Sequence, residues 1–209
     1  MSYNEKHAEK ANSWSHGLSL TIFLLMAIFL LRRGFEHDSL VLDLGLLLFV
    51  ISEGLMYFSS TIYHLVKNPK VKRVLRYLDH SCIHLTIAGS YSPILLWAIG
   101  GTLGNVCFIV MWILAISGIT YEVFFLGKYP KISLAIYIAM GWMVVFIVKP
   151  VWDAFPSISL WFLLAEGLAF TLGTYFFWKD EKHTYNHAIW HLFVFAGGVF
   201  HYLVLWFLL

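Results

Sequence analysis

Two histidines near the C-terminus have the spacing of a metal-chelating pair. His187 and His191 are four residues apart, so on a helix they lie on one face and can bind a single ion. Ser60 and His64 have the same spacing earlier in the chain. Three imidazoles that leave room for a water are the ligand set of a catalytic zinc site. We therefore predict a zinc ion bound by His64, His187 and His191.

A zinc-bound water needs a neighbouring group that orients it or takes its proton, and a carboxylate serves this purpose well. Asp79 is the acidic residue that we assign to this role. Ser60 is predicted to hydrogen-bond either to Asp79 or to the metal-bound water. Together, Asp79 and Ser60 are the candidate catalytic residues beside the three candidate ligands.

The elements that position these residues are predicted to be transmembrane helices. Of the 209 residues, 60% are hydrophobic and only 12% are charged, whereas soluble domains carry roughly 25% charged residues. Apolar runs approach the ~20 residues that span a bilayer. We predict an all-α integral membrane protein, one domain over residues 1–209, with a bend at Pro93 inside the third helix. The seven predicted helices cover about 14–31, 40–66, 80–99, 103–126, 132–149, 157–178 and 187–208.

The distribution of basic residues predicts the orientation of this seven-helix bundle. Eleven of the 14 Lys and Arg residues, from Lys6 to Lys182, fall on the side of the N-terminus, and only Arg32, Arg33 and Lys149 fall on the other. The positive-inside rule then places the N-terminus in the cytoplasm and the C-terminus outside. A net charge of +2 gives no indication of a nucleic-acid partner.

In this topology, ionisable side chains gather at one depth. Such groups are unfavourable in hydrocarbon and are therefore functional candidates. They are expected to open the first and third helices, to end the second and to begin the seventh, all at the cytoplasmic side: His16, His64, Asp79, His80, His187 and His191. His201 cannot join them, because it lies roughly 15 Å further along its helix at 1.5 Å per residue.

Structural interpretations compete with these functional ones. A histidine pair at this spacing often only bonds to a neighbouring helix, and it is the coincidence with His64 and Asp79 that favours a metal. His80 and His84 have the same spacing, and packing or a supporting role is favoured for them.

Other acidic residues also allow a structural interpretation. Glu53 and Glu166 fall near mid-membrane, where each could be protonated and bonded to a neighbouring helix or could serve a proton relay. Glu122 falls near a helix end and is expected to be solvated.

Four motifs, taken together, resemble those of the bacterial hemolysin III proteins, which are grouped with the progestin and adipoQ receptors and, more distantly, with the alkaline ceramidases. The motifs occur in the family's order: Glu9-x-x-Asn12-x-x-Ser15-His16, Ser60-x-x-x-His64, Asp79-His80 followed by Gly89-Ser90-Tyr91-Ser92-Pro93, and His187-x-x-x-His191. The resemblance implies seven helices, a cytoplasmic N-terminus and a zinc ion near the inner leaflet of a bacterial plasma membrane. It also implies that the ion is held by the three motif histidines, with Asp79 close by.

Three functional hypotheses follow. The resemblance favours a zinc-dependent hydrolase of a lipid amide or ester, with ceramide-like amides as the model substrates. A non-enzymatic membrane receptor or regulator with structural zinc is the second, and Asp79 as a fourth ligand would favour it. Cytolysis, which the family's name suggests, is the third; direct pore formation is disfavoured because a secreted pore former must be soluble before it inserts.

Overall fold

The computed structural model describes residues 3–180 and 183–209, so that Lys182 falls outside the described residues. The secondary structure of the described part is helical. A π-helical segment, Ile94–Ile99, continues α3, and a 3-10 segment, Trp142–Ile147, joins α5 to α6. The α-helices are α1 Tyr3–Phe35, α2 Leu40–Leu65, α3 Pro69–Pro93, α4 Gly101–Phe125, α5 Pro130–Gly141, α6 Val148–Ala154, α7 Ser157–Trp178 and α8 Asn186–Leu208.

The predicted fold class is confirmed. Within the described residues, seven helical stretches are long and apolar enough to cross a membrane, with α3 and its π-helical extension forming the third and α5 to α6 forming the fifth. Large apolar side chains cover the outside of the bundle, as at Phe146, which is 87% exposed. Such a surface suits lipid rather than water. The side of the membrane on which each terminus lies stays a prediction.

Two helices begin well before the predicted positions. α1 starts at Tyr3 rather than near residue 14, and α3 starts at Pro69 rather than near residue 80. Apolar runs mark only the part of a helix that lipid surrounds. The start of α3 instead depends on a cap, because the Asn68 side chain accepts hydrogen bonds from the Lys70 and Val71 amides at 3.0 and 3.4 Å, and Pro69 suits the first helical position.

These longer helices correct the placement of three polar residues. His16, Asp79 and His80 were expected to open their helices, but each lies several turns inside one. Regular helical backbone therefore holds them on both sides, which fixes the direction of their side chains more firmly than a helix start would.

The segment Gly89–Pro93 packs α3 tightly against its neighbours. A Cβ atom added at Gly45 in α2 would lie 2.7 Å from the Pro93 Cα atom, and one added at Gly89 would lie 2.9 Å from the Leu48 carbonyl oxygen. Small residues let two helix backbones approach closely in a membrane. At Pro93 the chain changes from α-helix to π-helix, where the sequence predicts a bend.

Tyr91 and Ser92 tie the same segment to other helices. The Tyr91 hydroxyl donates to the Gly141 carbonyl at 2.7 Å and accepts from the Val144 amide at 3.0 Å. It therefore satisfies backbone groups where α5 gives way to 3-10 helix. The Trp112 indole of α4 donates to Ser92 Oγ at 3.2 Å. The motif residues Tyr91 and Ser92 thus stabilise the packing of α3 against neighbouring helices.

Substitution of Gly45 by alanine is expected to destabilise the bundle, because its new methyl group would meet backbone atoms of Pro93 that cannot rotate away. Overpacking of this kind costs about 1–3 kcal/mol. Gly54→Ala in the same helix is the matched control, since a Cβ there meets nothing within 4 Å and alanine favours helix by about 1 kcal/mol. Thermal unfolding in detergent should give a lower midpoint for Gly45→Ala and an unchanged or higher one for Gly54→Ala. Equal midpoints would contradict this account of the α2–α3 contact.

Candidate metal centre

The three histidines predicted to bind zinc lie together. His64 near the end of α2 and His187 and His191 at the start of α8 each present one ring nitrogen, and these three nitrogens lie within 4.8 Å of one another. The ring centroids of His187 and His191 are 4.6 Å apart, and that of His64 is 5.0 and 5.3 Å from them. The four-residue spacing in α8 thus brings both rings to the side that faces α2.

Carboxylates hold two of the three rings by their Nδ1 atoms. His64 Nδ1 lies 2.9 Å from Glu9 Oε2, and His187 Nδ1 lies 2.9 Å from Asp180 Oδ2. An ionised carboxylate can only accept a hydrogen bond, so each Nδ1 carries the proton. The Nε2 atom of each ring is then left with a free lone pair, which is the form that binds a metal.

The third ring is held by α1. His191 Nδ1 lies 3.2 Å from the Asn12 carbonyl oxygen and 2.9 Å from Ser15 Oγ. Because a carbonyl only accepts, Nδ1 of His191 also carries its proton and Nε2 is again free. A metal-binding histidine nearly always donates its other N–H to a carboxylate, a carbonyl or a water. All three rings follow that rule.

The position of Glu9 depends on a lysine. Lys72 Nζ of α3 lies 2.9 Å from Glu9 Oε2 and also donates to the Tyr63 carbonyl at 3.0 Å. Glu9 thereby links α1 to both α2 and α3 at the edge of the metal centre. Its charge is balanced by Lys72, which favours the ionised form that accepts from His64.

The donor set fits a zinc ion. Imidazole nitrogens are ligands that zinc prefers. His64 Nε2 is buried and has no hydrogen-bond partner among the described residues, and leaving such a nitrogen unsatisfied costs about 1–3 kcal/mol. A coordinated ion would satisfy it.

A small cavity adjoins two of the three histidines, His187 and His191. It has a volume of about 40 Å³ and is lined by residues that include Ser60, Asp79, His187 and His191. A space of this size accommodates a small number of waters. Ser60 Oγ is buried and lies beside the Asp79 carboxylate, with which it can hydrogen-bond. Asp79 faces this cavity but does not belong to the compact set of three ligand atoms.

His16 is a residue to which the sequence analysis gave no role in the site. Its ring stacks on that of His191, with centroids 3.5 Å apart and planes 16° apart, and it lines the same cavity. It is buried, and neither ring nitrogen has a hydrogen-bond partner within the described part of the chain. His16 thus offers the cavity a further polar group.

Sequence reasoning also missed the carboxylates that hold the ligands. Glu9 was noted only as a motif residue, and Asp180 was not singled out at all. Asp180 lies in the connection between α7 and α8, where no helical spacing relates it to His187. The available signal was its charge, close in sequence to a candidate ligand.

The expectation of a solvated Glu122 is wrong. Its side chain is fully buried, and it accepts a 2.9 Å hydrogen bond from the Tyr137 hydroxyl. His80 Nδ1 and His84 Nε2 lie 3.9 and 3.8 Å from its carboxylate. Glu122 does lie near the end of α4, but α3 and α5 cover it there. His80 and His84 thus pack around a buried carboxylate, and a supporting role at the metal centre stays a prediction for them.

Comparison with known proteins agrees with the motifs. The family model for haemolysin-III related proteins matches residues 4–202. Hemolysin-3 of Bacillus cereus is 37% identical over 191 residues, which are 91% of this chain and 86% of the relative. The hemolysin-3 homolog of Bacillus subtilis is 34% identical over 91% of this chain and 89% of the relative. The human monocyte to macrophage differentiation factor is 31% identical over 156 residues, 72% of this chain and 64% of the relative. With seven candidate membrane spans and all four motifs inside the matched region, the chain belongs to the haemolysin-III related family of integral membrane proteins.

Proposed function

We propose that this protein is a zinc-dependent hydrolase of a bacterial plasma membrane that cleaves an amide or ester bond of a lipid. The single observation that carries the proposal is the convergence of three histidines, each with Nδ1 engaged and Nε2 free, beside a cavity lined by Asp79. The N-terminus is cytoplasmic in this proposal, so the reaction takes place in the inner leaflet.

The candidate site residues have different roles in this proposal. His64, His187 and His191 would hold the ion, which supplies an activated water and a polarised carbonyl when bound. Asp79 takes the proton of the attacking water and returns it to the leaving amine or alcohol. Ser60 Oγ, which lines the same cavity, hydrogen-bonds to Asp79 or to that water and so fixes their relative positions.

A larger chamber supports a lipid as the substrate. Its volume is about 660 Å³, and it shares the side chains of Thr86 and Trp190 with the small cavity beside the histidines. Its remaining lining is mostly apolar and comes largely from α5, α6 and α7. A chamber of this size and character suits an alkyl chain whose polar end reaches the metal centre.

The alternative of a regulator with structural zinc requires a closed, four-ligand site. Asp79 lies outside the compact set of ligand atoms, which favours an open position for water and hence catalysis. Two relatives carry hemolysin in their names. For a protein built of seven apolar helices, lysis through altered lipids is a simpler account than secretion followed by pore formation.

Purified protein is expected to hold about one zinc ion per chain, a stoichiometry that a single three-histidine site implies. His64→Ala, His187→Ala and His191→Ala should each lose it, as measured by mass spectrometry of the metal content. His37→Ala is the control, because His37 is exposed and bonds to the Leu209 carbonyl instead. A folded wild type that contains no zinc and takes none up on addition would rule the proposal out.

Glu9→Gln and Asp180→Asn are expected to weaken zinc binding without abolishing it, because each removes a carboxylate that holds a ligand ring. Loss of such a partner typically lowers metal affinity 10–100-fold, so we expect about that range. Competition with a chelator of known affinity measures the effect. Glu36→Gln, at an exposed carboxylate, should leave the affinity unchanged, and equal affinities in all variants would mean that these carboxylates do not support the ligands.

Asp79→Asn is expected to retain zinc but to lower the hydrolysis of lipid amides or esters by about 10²–10⁴-fold, the usual contribution of a general base. The assay compares turnover of labelled ceramides and lipid esters in vesicles with the metal content of the same preparation. Loss of zinc together with activity would instead make Asp79 a ligand and support the structural-zinc alternative.

A further inference from the structure

His16 of α1 is a buried polar residue that the roles assigned above do not use. It is 2% exposed, and neither Nδ1 nor Nε2 has a hydrogen-bond partner among the described residues. Because an unpaired charge is unfavourable at such a buried position, the ring is expected to be neutral. A neutral imidazole has one N–H donor and one acceptor nitrogen in either tautomer. A buried donor without a partner is unfavourable, so this N–H calls for an acceptor from outside the protein.

The polar side chains near His16 on α1 and α2 do not supply that acceptor. Asn12 lies one turn earlier on α1, but its Oδ1 atom is itself buried and unpaired within the described part of the chain. Tyr57 contacts His16 through its ring, with centroids 5.2 Å apart and planes 78° apart. Its hydroxyl lies beside Glu53 instead. The hydroxyl of Ser19 donates to the Ser15 carbonyl at 2.8 Å.

The stacking of His16 on His191 excludes His16 as a fourth metal ligand. The two ring centroids are 3.5 Å apart and the ring planes differ by 16°. The lone pair of an imidazole nitrogen lies in the ring plane, and zinc binds that nitrogen at about 2.0–2.1 Å. Rings stacked in this way have no common point in both planes at such a distance, so one ion cannot take both lone pairs. His16 therefore lies beside the ligand set without belonging to it.

The position of His16 points to the carbonyl group of a bound lipid as its partner. His16 lines the 40 Å³ cavity together with Asp79. In the hydrolysis proposed above, a carbonyl group must enter this cavity, because the water that Asp79 activates attacks its carbon. A carbonyl oxygen only accepts hydrogen bonds, and the unpaired N–H of His16 is a donor.

We propose, on the basis of that hydrolysis, that His16 is a substrate-binding residue that donates its N–H to the carbonyl oxygen of the lipid. Negative charge grows on this oxygen as water attacks, so the hydrogen bond strengthens during the reaction. The proton stays on His16 throughout, and no bond to its ring forms or breaks. Stacking on His191 holds the ring in place before the substrate arrives, which is what makes such a donor effective.

Two substitutions separate the ring of His16 from its N–H group. His16→Phe keeps an aromatic ring to stack on His191 but has no donor, whereas His16→Gln keeps an N–H donor but has no ring. If His16 serves only to pack against His191, the Phe variant should behave as wild type and the Gln variant should not. A donor role predicts the reverse. His37→Phe is the matched control, because His37 is exposed and bonds to the Leu209 carbonyl.

The test records the carbonyl stretch of methyl dodecanoate bound to zinc-free protein in a detergent that contains no ester. Difference spectra between the isotope-labelled and the unlabelled carbonyl separate the probe from the protein, and detergent alone gives the background. A carbonyl that accepts a hydrogen bond absorbs at lower frequency. Wild type, His16→Gln and His37→Phe should therefore show a shifted band, and His16→Phe should not. The affinity of His16→Phe for the probe should fall about tenfold, the size of one hydrogen bond.

Zinc-loaded protein gives a second readout. His16→Phe should keep the zinc affinity of wild type but turn over lipid amides or esters about 10²–10³-fold more slowly, the usual cost of losing one such donor. Because the spectra are recorded without zinc, they test the hydrogen bond whether or not the metal centre is catalytic. A wild type that binds no zinc or hydrolyses no lipid would count against the proposed hydrolase and would leave the spectral result standing.

Three results would overturn the role of His16. The first is a wild type without a shifted band, and the second is a shifted band that persists in folded His16→Phe. The third is an unshifted band in folded His16→Gln. Unfolding midpoints and size-exclusion profiles establish that each variant is folded. If the larger ring of His16→Phe prevents folding or weakens zinc binding, His16→Leu takes its place, since leucine also lacks a donor, and a shifted band in it would count in the same way.

Discussion

Hydrocarbon offers no hydrogen bonds, and this constraint governs how polar groups are arranged throughout the bundle. Every buried polar atom must find its partner in the protein or in a ligand. Three histidines meet that requirement in one recurring way, through a carboxylate on another element. His64 pairs with Glu9, His187 with Asp180 and His201 with Glu166.

The same constraint accounts for the arrangement of the candidate metal centre. There, the Nδ1 atom of each of the three histidine rings has a hydrogen-bond partner, which leaves Nε2 as the atom available to a cation. The three histidines therefore form a set that suits a metal ion.

Much of the fold and of the candidate site could be predicted from the sequence because both depend on strong local patterns. The lengths of the apolar runs predicted the seven spans. The spacing of His187 and His191 placed both on one face of a helix, and the predicted topology placed them at the same depth as His64. Other features depended on contacts between distant segments. The start of α3 at Pro69 follows from the Asn68 cap, and Glu122 is buried because α3 and α5 cover it, which its position near a helix end does not reveal. The role of Asp180 follows from a loop geometry that has no periodic signature.

The participation of both α1 and α8 in the candidate metal centre has a consequence for biosynthesis. Glu9, Asn12 and Ser15 belong to α1, which leaves the ribosome well before α8, the helix that carries His187 and His191. The ligand set is therefore incomplete until α8 has entered the membrane beside α1. Chains in which α8 has not inserted beside α1 lack the full set of candidate ligands, so metal loading would report that these two helices have come together.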